Sequence, residues 1–536
     1  MTELGETAVA RVTAPVLRAM LNDGGEMALI DVREEGVFSR GHLFAAGCIA
    51  LSVLELEIGR LVPRKGVRVV LCDDDESLAM RAAGTLRCFG YGDVRILAGG
   101  VPQWKSAGFE VFSGVNVPSK AFGEFIEHHC ATPSLAPEEL KKRIDAGENL
   151  VILDSRPMVE FTGTNIPGAL DCPGAELAYR VREVAPDPRT TVVVNCAGRT
   201  RSIIGAQSLI NARIPNPVIA LRNGTMGWHL AGLPLEHGNT RMAPAPGAAA
   251  LRGARESAAL VARRFAITKI DWAALTRMRT ETAARTLYCL DVRDPSEFAT
   301  GTLPGFANAP GGQLVQATDQ YVATRNARLV LADTDGVRAV MTASWLVQMG
   351  LVDVAVLDGV GPEQFTEQTS SEPIRSDRVM VRTITATALQ ERCAAETIAV
   401  IDLATSLQFR KEHIPGAWWA IRARLKEGLP CIQASGAIAF TSPDARLAEL
   451  AAIDTMEWTN REVFVLAGGT NSWRDAGFAM EAGDARMIDP PEDVWYRPYE
   501  QKGGAEQAMR DYLSWEVELV EQIKREGITY PTFPPV

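Results

Sequence analysis

The sequence has no excess of basic residues. Its 55 lysines and arginines are outnumbered by 66 aspartates and glutamates, a formal net charge of −11. A nucleic-acid binder normally shows a basic face, so no nucleic-acid partner is expected. The same balance disfavours anionic membrane surfaces. No apolar run reaches the roughly 18 residues of a membrane span. The opening MTELGETAVARVTAP lacks the basic start and apolar stretch of a secretory signal. The nine cysteines include no CxxC pair. Free thiols in a reducing cytoplasm fit that spacing better than a disulfide framework. The histidines (His42, His128, His129, His229, His237, His413) show no metal-ligand spacing with cysteines or carboxylates, so neither metal nor cofactor is expected.

What the sequence does have is repetition. At 536 residues it is too long for one core. Four apolar β-like runs end in an acidic residue: ALIDVRE (28–34), VILDSRP (151–157), YCLDVRD (288–294) and AVIDLAT (399–405). Each is followed by a variant of one phrase: GHLFAA, TNIPGA, GTLPGF and EHIPGA. Eleven residues separate Asp31 from His42, Asp154 from Asn165, Asp291 from Thr302 and Asp402 from His413. A second β run follows in each copy, then an amphipathic stretch, then a third β run ending in a turn such as AGGVPQW, RNGTMGW or AGGTNSW. Strands alternating with helical segments predict α/β units, each a doubly wound, mainly parallel sheet flanked by helices.

The expected units are 1–125, 126–240, 263–373 and 374–484. Residues 241–262 begin RMAPAPGAAALRGA and read as a linker. Residues 485–536 contain GAEQAMRDYLSWEVELVEQIKREG, a helical tail expected to dock on the body.

Comparing the copies separates structure from chemistry. Asp31, Asp154, Asp291 and Asp402 occur in every copy, and Arg33, Arg156 and Arg293 in three. These read as charge-assisted ties between loop and sheet. At the end of the second β run the copies differ: Asp73, Cys196, Asp333 and Ser442. The second copy alone has a thiol there, followed by Ala197-Gly198-Arg199-Thr200-Arg201-Ser202, where the first copy has the acidic DDDES. Ligands of parallel α/β sheets bind at the carboxyl ends of strands. Backbone N–H groups of such a loop, the positive end of the helix starting near Ser202, Arg199 and Arg201 are all expected to favour the thiolate. Cys196 is the candidate nucleophile, and Ala197 to Ser202 the candidate oxyanion cradle.

With the Asp-x-Arg strand, the His-Ile-Pro-Gly-Ala phrase, the cysteine loop and the Gly-Gly-x-x-x-Trp turn, the chain resembles the rhodanese superfamily, as four tandem rhodanese-homology domains over about nine-tenths of its length. Asn165 in place of the usual His, and Asn223 in place of the turn's first Gly, are small departures. The resemblance implies one catalytic domain (the second) and three inactive ones. It implies sulfur transfer from thiosulfate or a similar donor to cyanide or a thiol, through a persulfide on Cys196. A homo-oligomer is compatible with the sequence.

Two other readings stand beside this one. A Cys-x5-Arg phosphatase or arsenate reductase loop needs an arginine six residues after the cysteine, where this chain has Ser202. A non-catalytic scaffold or persulfide carrier would also fit three copies without a thiol. Cys72, beside Asp73, Asp74 and Asp75, reads as structural because like charge opposes its ionisation. Cys172 reads as core packing. Trp228 and Met226 lie on a turn that could line the pocket, with Trp104 and Trp473 at the same place pointing to packing.

Overall fold

A computed structural model describes residues 9–368, 380–432, 436–501 and 503–526. The expected boundary between the third and fourth units, and the last ten residues of the tail, lie outside these. Among the described residues no helix is long and apolar enough to cross a membrane.

The second unit shows the plan. Helix α1 (Val117–Cys130) leads into strand β1 (Ser134–Leu135), helix α2 (Pro137–Asp145), strands β2 (Leu150–Asp154) and β3 (Leu170–Asp171) and helix α3 (Glu176–Val184). Strand β4 (Thr191–Asn195), helix α4 (Thr200–Asn211), strand β5 (Val218–Leu221) and helix α5 (Gly224–Leu230) complete it. The strands lie in the order β1-β5-β4-β2-β3, all parallel. A parallel sheet buries both faces, and successive side chains point opposite ways. Ile152, Val193 and Leu221 accordingly meet Leu140 of α2 and Trp228 of α5. Their neighbours Leu153, Val192, Val194 and Ala220 meet Leu177 of α3 and Ile203 and Leu209 of α4. The other three sheets repeat this strand order, so the predicted α/β architecture holds in all four units.

The invariant aspartates are buried ties, as their recurrence predicts. Arg156 grips Asp154 through Nε and Nη2, both at 2.8 Å, and donates to the Thr164 carbonyl at 2.6 Å. Arg33 and Arg293 repeat the arrangement toward Gly41 and Gly301. The fourth copy has Ala404 instead, whose N–H donates to Asp402 at 2.8 Å, and burial without the arginine pushes Asp402 up to about 7.

Two expectations need correction. Helix α1 runs through the expected 125/126 boundary. The stretch read as a linker is helical from its eighth residue, as α6 (Ala248–Arg264). Its alanines, which suggested looseness, are strong helix formers. They let Ala254, Ser257, Ala258 and Val261 pack against α3 and against helix Arg338–Gln348 of the third unit.

The units share cores rather than touching lightly. One core joins the second and third, including Leu177, Leu209, Leu314 and Trp345. Another joins the first and fourth, including Ile30, Leu86, Ile398 and Trp419. Strand Thr324–Arg325 of the third unit pairs antiparallel with Met27 and Ala28 of the first. The tail docks as expected. Its helix α7 (Ala505–Glu526) buries Met509, Leu513, Glu516, Leu519, Val520 and Ile523 on one face, which packs on α1.

Candidate active site

Cys196 stands one residue beyond β4, at the carboxyl end of the sheet. The adjacent turn clamps its loop: Thr225 N–H donates to the Cys196 carbonyl at 2.8 Å and Met226 N–H to that of Ala197 at 2.9 Å. Gly224, at φ 55°, makes this approach feasible, since a Cβ there would lie 2.3 Å from the Cys196 carbonyl oxygen. Asn195 anchors the strand end by donating to Asp154 at 2.8 Å.

The equivalent loops reveal what this position binds. Asp73 Oδ1 accepts from Glu76 N–H at 2.8 Å, and Oδ2 from Leu78 and Ala79 N–H at 2.8 and 3.1 Å. Asp333 accepts from Gly336 and Arg338 N–H at 2.7 and 2.8 Å. The loop is therefore an anion cradle, filled in the first and third units by their own carboxylates. In the second unit the same N–H positions belong to Arg199, Arg201 and Ser202, and Cys196 stands where the sister units have the carboxylate. Ser202 donates from Oγ to Cys196 Sγ at 3.0 Å and also from its backbone N–H.

The side chains of the loop divide. Arg199 turns away: Nε and Nη2 hold Glu124 at 2.7 and 2.8 Å, and Nη2 also reaches Glu127. Arg201 forms a two-pronged pair with Glu160, both bonds at 2.9 Å, yet remains on the wall beside the thiol. Thr200 donates to Glu516 of α7 at 3.2 Å. Gly198 lies under α7, where a Cβ would meet Glu516 and Tyr512 at 3.2 and 3.3 Å. Ala197 packs with Met226, Met509 and Leu513.

This arrangement corrects the expected thiolate. Cys196 is 2% exposed beneath the tail. Burial pushes its pKa up, Arg201 and Ser202 pull it back, Glu516 pushes it up again, and the net direction is upward. Two features were not visible in the sequence: Arg199 is already neutralised by α1, and the tail roofs the site.

A cavity of about 270 Å³ lies against the loop. Ala197, Arg201 and Met226 form one wall, Lys120 of α1 another, and Arg497 and Tyr499 of the tail a third. Met226 thus lines the cavity. Trp228 instead packs, with Nε1 donating to the Pro234 carbonyl at 2.8 Å as Trp104 and Trp473 do to theirs. Lys120 is the residue that sequence reasoning missed. It donates to the Tyr512 hydroxyl, and Tyr512 donates to Glu516 at 2.9 Å. Its signal was a lone lysine in the apolar spacing of VPSKAFGEFIEHHC. Cys72 and Cys172 are fully buried, with pKa values pushed well up by burial, in keeping with structural roles. Among the described residues no group of His, Cys, Asp and Glu has metal-binding geometry.

The rhodanese-like domain family matches residues 13–107, 136–231 and 273–361. The crystal structure of a thiosulfate sulfurtransferase from Pseudomonas aeruginosa is similar over 98% of this chain and 99% of that one, with 47% identity and a TM-score of 0.93. An HTH-type transcriptional regulator of Mycobacterium tuberculosis is 36% identical over 100 residues, 19% of this chain. The chain spans 43% of that regulator's length. The fourth unit, outside the family matches, has the same strand order as the other three. With the family matched over more than half of its residues and the anion cradle repeated along it, this chain belongs to the rhodanese superfamily as a multidomain member.

Proposed function

We propose that the protein is a sulfurtransferase that carries sulfane sulfur as a persulfide on Cys196, with thiosulfate as the donor class and cyanide or a thiol as acceptor. One observation carries this reading. Of four equivalent cradles, two hold a carboxylate and one a serine hydroxyl, while the second unit places a thiol there. The similarity to the Pseudomonas aeruginosa thiosulfate sulfurtransferase supports the donor.

The Cys196 thiolate, its proton lost to buffer, attacks the outer sulfur of thiosulfate. A new S–S bond forms on Cys196. The bond to the sulfonate sulfur breaks, and its electron pair departs with sulfite. The persulfide anion then occupies the cradle that holds carboxylates in the sister units, facing the N–H groups of Arg199, Arg201 and Ser202. Ala197, Gly198 and Thr200 shape the loop. An acceptor attacks the outer sulfur and returns the thiolate.

The side chain of Arg199 takes a different part from the one first expected. Held by Glu124 and Glu127, it fixes the loop to α1, leaving Arg201 as the loop's own cation at the cavity. The test is incubation with thiosulfate, measuring sulfite release and then thiocyanate after cyanide. Wild type is expected to yield both and Cys196→Ala neither. A Cys196→Ala protein with substantial turnover would overturn the assignment. A stable persulfide without sulfite release would favour a carrier.

A further inference from the structure

The Lys120 amine is buried, 3% exposed, on the wall of the cavity beside the Cys196 loop, where burial pulls its pKa down and Glu516 pulls it back up. Taking an ammonium out of water costs several kcal/mol unless partners compensate. Its compensation is incomplete. The direct acceptor is the neutral Tyr512 hydroxyl, and the nearest carboxylate, Glu516, stands 3.6 Å away. The rings of Tyr512, Trp515 and Trp495 surround the ammonium at 4.4, 5.3 and 5.6 Å. An ammonium has three donors, and among the described residues Lys120 has two polar partners, the Tyr512 hydroxyl and the Glu516 carboxylate. The other cations of the wall are committed: Arg201 to both oxygens of Glu160, and Arg497 to Glu500 at 3.1 Å. Arg199 is held outside by Glu124 and Glu127.

We propose that Lys120 is the sulfonate-binding cation of the site, presented to the cavity by Tyr512 and Glu516 of α7. This rests on the reading of Cys196 as the sulfur-accepting nucleophile. The ammonium donates a hydrogen bond to a sulfonate oxygen when the donor binds. As the bond between the two donor sulfurs breaks, its electron pair moves onto the departing sulfite, whose added charge Lys120 meets across a water-poor aromatic wall. No proton is transferred by Lys120, and no further reactant is needed. The C-terminal helix is then a part of the active site.

The experiment uses the full chain and two donors, thiosulfate and inorganic polysulfide, which lacks a sulfonate. Lys120→Gln is expected to raise KM for thiosulfate by about tenfold or more, the usual loss of one charge-assisted hydrogen bond. It is expected to weaken sulfite inhibition similarly and to leave polysulfide kcat/KM within about threefold of wild type. Lys120→Arg is expected to recover most of the thiosulfate KM. Equal losses with both donors would mark Lys120 as merely structural and overturn the proposal, as would an unchanged thiosulfate KM. If Lys120→Gln does not fold by circular dichroism, Tyr512→Phe serves. It keeps the ring and removes the hydroxyl, and it is expected to raise thiosulfate KM while sparing polysulfide. The same comparison then decides. Mass spectrometry of Cys196→Ala separates the two readings. Persulfide formed elsewhere by either donor would sink the nucleophile assignment, whereas loss of persulfide there with a wild-type KM in Lys120→Gln would sink the lysine alone.

Discussion

At Cys196, burial and charge oppose one another. The cradle, Ser202 and Arg201 favour the thiolate, whereas loss of water and the Glu516 carboxylate favour the thiol, and the thiol prevails in the closed site. Removing the Glu516 charge therefore lowers the Cys196 pKa. In Glu516→Gln the rate of Cys196 alkylation is expected to reach its plateau at lower pH than in wild type, with thiosulfate kcat/KM rising at correspondingly lower pH. A titration that stays put, or moves upward, would contradict this account. The sequence pointed to Cys196 because the sister copies supply controls at the same position: Asp73, Asp333 and Ser442. It could not say which arginine serves the thiol. Arg199 and Arg201 are alike in sequence, and the choice depends on Glu124 and Glu127, about 75 residues earlier on a helix whose docking no local pattern announces. Lys120 was hidden for the same reason: its partners Tyr512 and Glu516 lie nearly 400 residues downstream.

Among the elements, one ion pair has two fates. The pair between Arg201 and Glu160 recurs in the third unit as Arg338 and Glu297, at matching distances from the cradle residue and the invariant aspartate. It is thus an inherited tie between the helix after the cradle and the short helix after the first long strand. In the third unit the arginine also reaches Glu176 of α3 at 3.0 Å, lies 4.4 Å over the Tyr179 ring, and is fully buried. There it fastens the second unit to the third. Arg338→Ala leaves Glu297 and Asp333 without their cation and Glu176 with Arg180 alone, and the expected destabilisation is about 3–5 kcal/mol by chemical denaturation, the usual consequence of breaking a buried pair. A loss below 1 kcal/mol would mean water replaces the guanidinium without penalty. Strands and their termini were legible because apolar runs ending in Asp are strong local signals. The α6 helix was not, since its proline-rich approach and alanine run suit either a linker or a helix until a partner surface selects one.

For the whole molecule, four similar units do not mean four independent ones. The first shares its core with the fourth and the second with the third, and Thr324–Arg325 stitches the third to the first. Thr286 Oγ donates to Glu26 at 2.7 Å and Tyr288 Oη to the Leu61 carbonyl at 2.5 Å, further ties between the first and third. Calorimetry is expected to show fewer unfolding transitions than four, with an isolated 1–125 fragment failing to give a cooperative transition of its own. Four resolved transitions would show that the shared cores add little. The repeat pattern disclosed the units but not this pairing, because each copy has the same internal periodicity whichever sister it faces.

The first unit's union with the fourth has a bearing on how the chain is made. Its face carrying Ile58 and Leu86 meets a companion that begins near Ile384, some three hundred residues later. At ribosomal speeds of about 5–20 residues per second, that surface waits for roughly 15–60 seconds after its own synthesis. A nascent chain of this kind carries an exposed apolar flank through most of its birth. Chaperone capture of that flank, released only when the last quarter emerges, is the demand that this architecture places on the cell.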